Sequence, residues 1–341
     1  MHGPSQGWQA LTDTAQRAPA ALGLVLISVG IVLCVSGAAV GSTGWEPLWS
    51  DGGQTSDAVL WDIRMPRTLG AWLAGALLGL CGAVAQGLFR NPLADPYLLG
   101  SATGASLGVA ILLVVAGASP VAAATWGARL GLTGAGFVGA FIAVFVTLGL
   151  ARGVQHTLRL LLAGVIVGMV CGALSALVMF RVPEIMRTVQ VFMLGTTGFL
   201  GWASVALLAA VLVLCVATAF MYSRALDALS LGETTAASLG IQLGPVRIVL
   251  VGIIALGTAC AVAQVGLIAF VGLVAPHIVR NRVKTTHRWL LPLSALTGGV
   301  LLLSADVLSR WLLAPQELPV GVLTAVLGGS YLIWLMHRRP W

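Results

Sequence analysis

The run AALGLVLISVGIVLCVSGAAV at residues 20–40 carries no charged side chain over twenty-one consecutive positions. As an α-helix rising about 1.5 Å per residue, such a run matches the roughly 30 Å hydrocarbon core of a bilayer. It exceeds the roughly 7–15 residue core of a signal peptide and so reads as a first span, while Ser36-Gly37-Ala38 keeps a cleavage reading open. Working outward, LLAGVIVGMVCGALSALVMF at 161–180 has the same character, with Gly164, Gly168 and Gly172 at the four-residue spacing that lets membrane helices approach closely.

The whole chain follows suit. Hydrophobic residues make up 58% and charged residues 9% of its 341 positions, against roughly 25% charged in an ordinary soluble domain. No soluble fold of this length hides so much apolar side chain. Cys34, Cys81, Cys171, Cys215 and Cys260 all lie in apolar runs without metal-ligand spacing and read as small core residues.

At about 20 apolar residues per crossing, helices are expected near 19–40, 67–88, 98–117, 134–151, 159–180, 202–222, 246–267, 269–282, 290–309 and 319–336. The fold class is therefore all-α integral membrane protein, residues 1–341 forming a single transmembrane domain of about ten helices. The eighth helix is short and contains Pro276, which removes a backbone donor. With both termini cytoplasmic, the inner segments hold twelve of the basic residues and the outer segments six, as the positive-inside rule requires. Orientation thus accounts for the net charge of +7 without nucleic acid.

Three segments outside the spans carry signals: a cytoplasmic tail at 1–18, an outer loop at 181–201 that suggests a short surface helix, and a cytoplasmic segment at 226–242. In the last, Ser230 and Glu233 have capping-box spacing and Gly240 supplies a stop, predicting one short helix.

Ion-coupled transporters use ionisable residues at membrane depth, and the acidic residues here fall in loops or tails, with Asp306 near the outer end of the ninth span. The only lysine, Lys284, follows Val283, so no Gly-Lys-Ser/Thr phosphate-binding loop exists. A chain with neither device but with a cytoplasmic helix fits a mechanically driven permease. A secondary transporter and a passive channel are the competing classes.

These features meet in a family resemblance. Arg64-Met-Pro-Arg67, QGLFRNPLADPYLLG at 86–100, LGETTAASLGI at 231–241, FVGLVAPHIVR at 270–280, HRWLLP at 287–292 and ELPVGVLTAVLGG at 317–329 resemble the FecCD family of bacterial permeases. Those permeases import haem, ferric siderophores and cobalamin. The resemblance covers most of 60–337. It implies a bacterial inner-membrane homodimer with a central pathway, two ATPase subunits that carry ATP and Mg on the cytoplasmic side, and an external substrate-binding protein. No cofactor or metal is implied on this chain, and membrane lipid is its remaining partner.

Carried over residue by residue, the resemblance implies that Arg64, Arg67 and Arg310 meet the binding protein. It makes Ser230, Leu231, Gly232, Glu233, Ala236, Ala237, Leu239 and Gly240 the ATPase-coupling segment. Asn91, Leu93, Thr157 and Leu158 correspond to a cytoplasmic gate. Met169 and Met179 read either as an adaptable pathway wall or as helix packing, and Arg187 as a group that attracts a substrate carboxylate. Two departures, Gly329-Ser330-Tyr331 and Lys284-Thr285-Thr286, bear on substrate and local packing. LLAPQELP at 312–319 and HRWLLP look nearest to haem permeases, giving haem a slight lead over ferric siderophores, with cobalamin third.

Overall fold

The computed structural model describes residues 4–41, 44–45, 57–117, 126–151 and 157–338. Its α-helices are α1 (Pro4–Ala39), α2 (Met65–Phe89), α3 (Ser101–Val115), α4 (Trp126–Leu150), α5 (Thr157–Arg181), α6 (Met186–Leu194), α7 (Trp202–Met221), α8 (Ser223–Ser230), α9 (Glu233–Ser238), α10 (Leu243–Val265), α11 (Val271–Arg282), α12 (His287–Trp311) and α13 (Val320–Arg338). A one-turn 3-10 helix, Pro96–Leu99, leads into α3. Val40–Gly41 pairs with Gly44–Trp45 in a minimal hairpin, the only sheet among the described residues.

Every expected span falls on a helix. Among the described residues, seven helices are long and apolar enough to cross a membrane, while α3 and α13 are shorter apolar helices. At 12 residues, α11 rises only about 18 Å and cannot span alone; the non-helical stretch 266–270 precedes it. The second span starts earlier than its hydropathy suggests, as helical backbone from Asp57 runs into α2. Within 181–201, α6 is the short helix that the sequence predicts there.

Hydrophobicity does not determine which helix is central. The α2 window is 83% buried at hydropathy 1.8, whereas the more apolar α5, at 2.5, is only 22% buried. In lipid there is no hydrophobic gain in hiding one apolar helix behind another, so close backbone packing decides the arrangement. Along α2, a Cβ at Gly79 would stand 2.2 Å from the Ser294 carbonyl oxygen of α12, and one at Gly82 1.7 Å from the Gly272 oxygen of α11. These glycines let α11 and α12 lie directly on α2. The face of α5 bearing Leu158, Met169 and Phe180 stays uncovered within the subunit, as does much of α1. Cys81, Cys215 and Cys260 are buried in the core, and Cys34 and Cys171 are half-buried.

Candidate coupling site and outer arginine cluster

The segment expected to form a single capped helix at 226–242 is two helices with a break. Leu231 N and Gly232 N donate to Ala228 O and Leu229 O, closing α8. Gly232, at φ +117°, then turns the chain into α9. The capping box does not form. Ser230 Oγ donates back to Asp227 O at 2.6 Å within its own helix, and Gly232, which has no side chain, occupies the cap position of α9. The intervening break prevents Ser230 from reaching the first free amides of α9. The expected stop does form: Ile241 N donates to Ala236 O and Gly240 N to Ala237 O, a Schellman pair around a left-handed glycine at φ +82°.

Two buried leucines, Leu226 and Leu229, seat α8 on the core, and Ala236 does the same for α9. Asp227 fastens α8 to the start of α12, accepting from His287 N at 2.9 Å and lying 2.7 Å from His287 Nδ1. Glu233 fastens α9, with Oε1 2.6 Å from Arg247 Nη2 and 3.6 Å from Arg90 Nη2. On the opposite side Ala237 is exposed, and Leu231 and Leu239 are 68% and 63% exposed. Apolar side chains are thus held outward on a firmly anchored segment.

The sequence-derived gate residues sit on adjoining elements. Asn91 Oδ1 accepts from Leu93 N at 2.9 Å and Ala94 N donates to Asn91 O, so 91–94 is an Asx-stabilised turn with Leu93 exposed. Thr157 begins α5 and Leu158, beside it, is 68% exposed. Where α5 passes the 3-10 helix, a Cβ at Gly164 would lie 2.0 Å from Leu98 O, so the two elements move against each other only as packed bodies.

At the other face, Arg64 and Arg67 come together with Arg310, which lies far from them in sequence. Arg64 Nη1 reaches Ala38 O at 3.5 Å, and Arg310 Nη1 reaches Gly37 O and Val40 O at 2.8 Å each. Asp306 joins the other two, with Oδ2 2.6 Å from Arg310 Nη2 and Oδ1 3.1 Å from Arg67 Nε. Thr197 Oγ1 also donates to Asp306, and Glu317 takes Arg67 Nη1 at 2.9 Å. Arg67 and Arg310 are buried, and Arg64 is half-buried. Asp306 is fully enclosed within α12, a buried charge that the sequence reading located only near a helix end. With two arginines clamping it, its carboxylate is occupied by internal partners.

The pathway residues separate. Arg187 is exposed and lines a cavity of ≈ 410 Å³ together with Val109, Leu132, Phe192 and Gln264. Neither methionine lines it. Met169 is 72% exposed on α5, and Met179 packs beside Val109, Ile185 and Val189. Among the described residues no group of three or more His, Cys, Asp or Glu is placed to hold a metal ion.

Sequence reasoning did not find Asp227–His287, Glu233–Arg247 or Arg67–Asp306. Each pair joins residues from separate helices, and the only local signal was an acidic residue at the first turn of a short helix.

Residues 20–338 match the description "FecCD transport family". The hemin transport system permease protein HmuU of Yersinia pestis is 37% identical over 327 residues, covering 93% of this chain and 95% of that protein. The vitamin B12 import system permease protein BtuC of Salmonella schwarzengrund is 40% identical over 321 residues, covering 92% and 93%. Among solved structures, an inward-facing conformation from a transporter of the metal-chelate ABC type superposes with a TM-score of 0.83. The two are 27% identical, with 94% of this chain and all of that one covered.

Proposed function

This chain belongs to the FecCD transport family, and from that premise we propose that it is the permease subunit of an ATP-binding-cassette importer for a bulky metal chelate, in the bacterial inner membrane. The observation that carries the reading is near-full-length similarity to two import permeases, for hemin and for vitamin B12. Two copies form the pathway, and the uncovered apolar face of α5 lines it, opposite the second copy. ATP and Mg belong to two separate ATPase subunits, which take up the exposed residues of α8 and α9. The chain itself is not an enzyme.

The outer arginine cluster is the docking surface for a substrate-binding protein. Arg64 offers contact most readily. Arg67 reaches an incoming carboxylate by exchanging Glu317, whose side chain is 33% exposed, and Arg310 holds the end of α1 in place beneath them. Asn91, Leu93, Thr157 and Leu158 form the cytoplasmic gate, and Arg187, in its cavity, offers a cation to a substrate carboxylate, with Met169 on the pathway wall.

For the substrate we favour haem, on the segments LLAPQELP and HRWLLP, with cobalamin and ferric siderophores as the alternatives. The test is uptake by proteoliposomes containing the permease, its ATPase and each substrate-binding protein in turn. ATP-dependent accumulation of haem alone supports the reading, accumulation of cobalamin or a siderophore alone replaces the substrate, and no ATP-dependent uptake of any of them removes the importer assignment.

A further inference from the structure

Glu233 opens α9 and reaches in two directions. Arg247, 2.6 Å away near the start of α10, is 2% exposed, so its charge sits out of water and the attraction between the two is weakly screened. Arg90, 3.6 Å away, is the residue that ends α2. Its backbone has φ +51°, a left-handed conformation uncommon for residues other than glycine. That conformation directs the chain out of α2 and straight into Asn91, whose side chain closes the turn carrying Leu93.

Two different connections therefore meet at one carboxylate. The Arg247 contact fixes α9 to a long buried helix. The Arg90 contact links α9 to the turn at 91–94. The other acidic anchor of the segment, Asp227, leads to His287 at the start of α12 instead, and Leu231 and Leu239 point outward. Motion of α9 about its Arg247 anchor would pull on Arg90, and through it on the turn.

We propose that Glu233 is a positioning residue that transmits movement of the α8–α9 pair to the turn bearing Asn91 and Leu93, with Arg90 as the link and Arg247 as the pivot. The proposal rests on the reading of α8–α9 as the ATPase contact. A purely structural Glu233, present only to neutralise Arg247, makes a different forecast, because Arg90→Gln leaves the Glu233–Arg247 pair untouched. Arg90 has a side chain that is 43% exposed, so replacing it leaves no buried group without a partner.

The experiment measures substrate moved per ATP hydrolysed by the reconstituted complex of permease, ATPase and binding protein. Arg90→Gln should assemble and hydrolyse ATP while that ratio falls by about tenfold, within the range of mutations along a coupling network. Arg90→Lys should restore most of it, since a 3.6 Å ion pair depends on charge more than on guanidinium shape. Arg90→Ala takes the place of Arg90→Gln if that variant does not assemble. A wild-type ratio in Arg90→Gln, or no recovery in Arg90→Lys, overturns the proposal. Ala237→Trp separates the two levels. If it assembles and transports normally, the ATPase-contact reading fails and takes this proposal with it. If it is inactive while Arg90→Gln keeps the wild-type ratio, only the link through Glu233 fails.

Discussion

Asp306 has no exposed surface, and two guanidinium groups lean on it. Removing its carboxylate would leave Arg67 and Arg310 charged inside the protein with their principal partner gone. We expect Asp306→Ala to cost about 3–5 kcal/mol, as seen when one member of a buried ion pair is deleted. Unfolding in detergent checks this, and a loss below about 1 kcal/mol, the scale of an exposed pair, would show that the cluster is not an anchor. Glu317→Gln should cost far less, because that carboxylate is partly open to water. The same geometry dictates how docking is tested. Reversing Arg67 or Arg310 would disturb the fold and binding together, whereas Arg64→Glu alters a half-buried residue whose Nη1 lies 3.5 Å from Ala38 O. Arg64→Glu should weaken association of the binding protein, most at low ionic strength, where screening is least. Equal affinity at all salt concentrations would remove Arg64 from the interface.

Helices were the most legible level of the sequence. Each expected span falls on a helix because a long apolar run without charge has no other way to satisfy its backbone in lipid. Packing order was not legible, because hydropathy is nearly uninformative about which helix lies at the centre; the decisive features are single glycines whose partners lie more than a hundred residues away. Gly79→Ala tests this directly. Its new methyl would stand 2.2 Å from a backbone oxygen that cannot rotate aside, so we expect a loss of about 1–3 kcal/mol, typical of overpacking. Gly134→Ala in α4 meets nothing within 4 Å and should leave thermal stability unchanged. If both variants melt alike, backbone contact between α2 and α12 is not what places α2 in the core. The short helices α8 and α9 show the opposite limit. Gly240 was readable as a stop because its left-handed backbone is a local requirement, while Ser230 and Glu233 were misread as a cap. Their spacing fits that motif, but Glu233 is bound by Arg90, just past the end of α2, and by Arg247 of α10, and no pattern confined to residues 226–242 reports that.

At the scale of the molecule, the two faces are built differently. One face gathers three arginines around the end of α1, and the opposite face holds two short helices firmly while leaving Ala237, Leu231 and Leu239 exposed. Between them lie tightly packed glycine-lined helices, which pass displacement on as rigid bodies rather than absorbing it. Such a construction suits a protein driven from one side by a partner and loaded from the other. Two copies should then bring Leu93 close to its counterpart, so that Leu93→Cys crosslinks between subunits and blocks transport; efficient crosslinking with full transport would place the constriction elsewhere. The central claim, that an external ATPase powers the chain, is tested most directly by substrate accumulation in proteoliposomes prepared with and without the ATPase subunits and with ATP inside. Accumulation that requires both ATP and the ATPase is the predicted result, and uptake that persists without them, or that follows an imposed ion gradient, would contradict it.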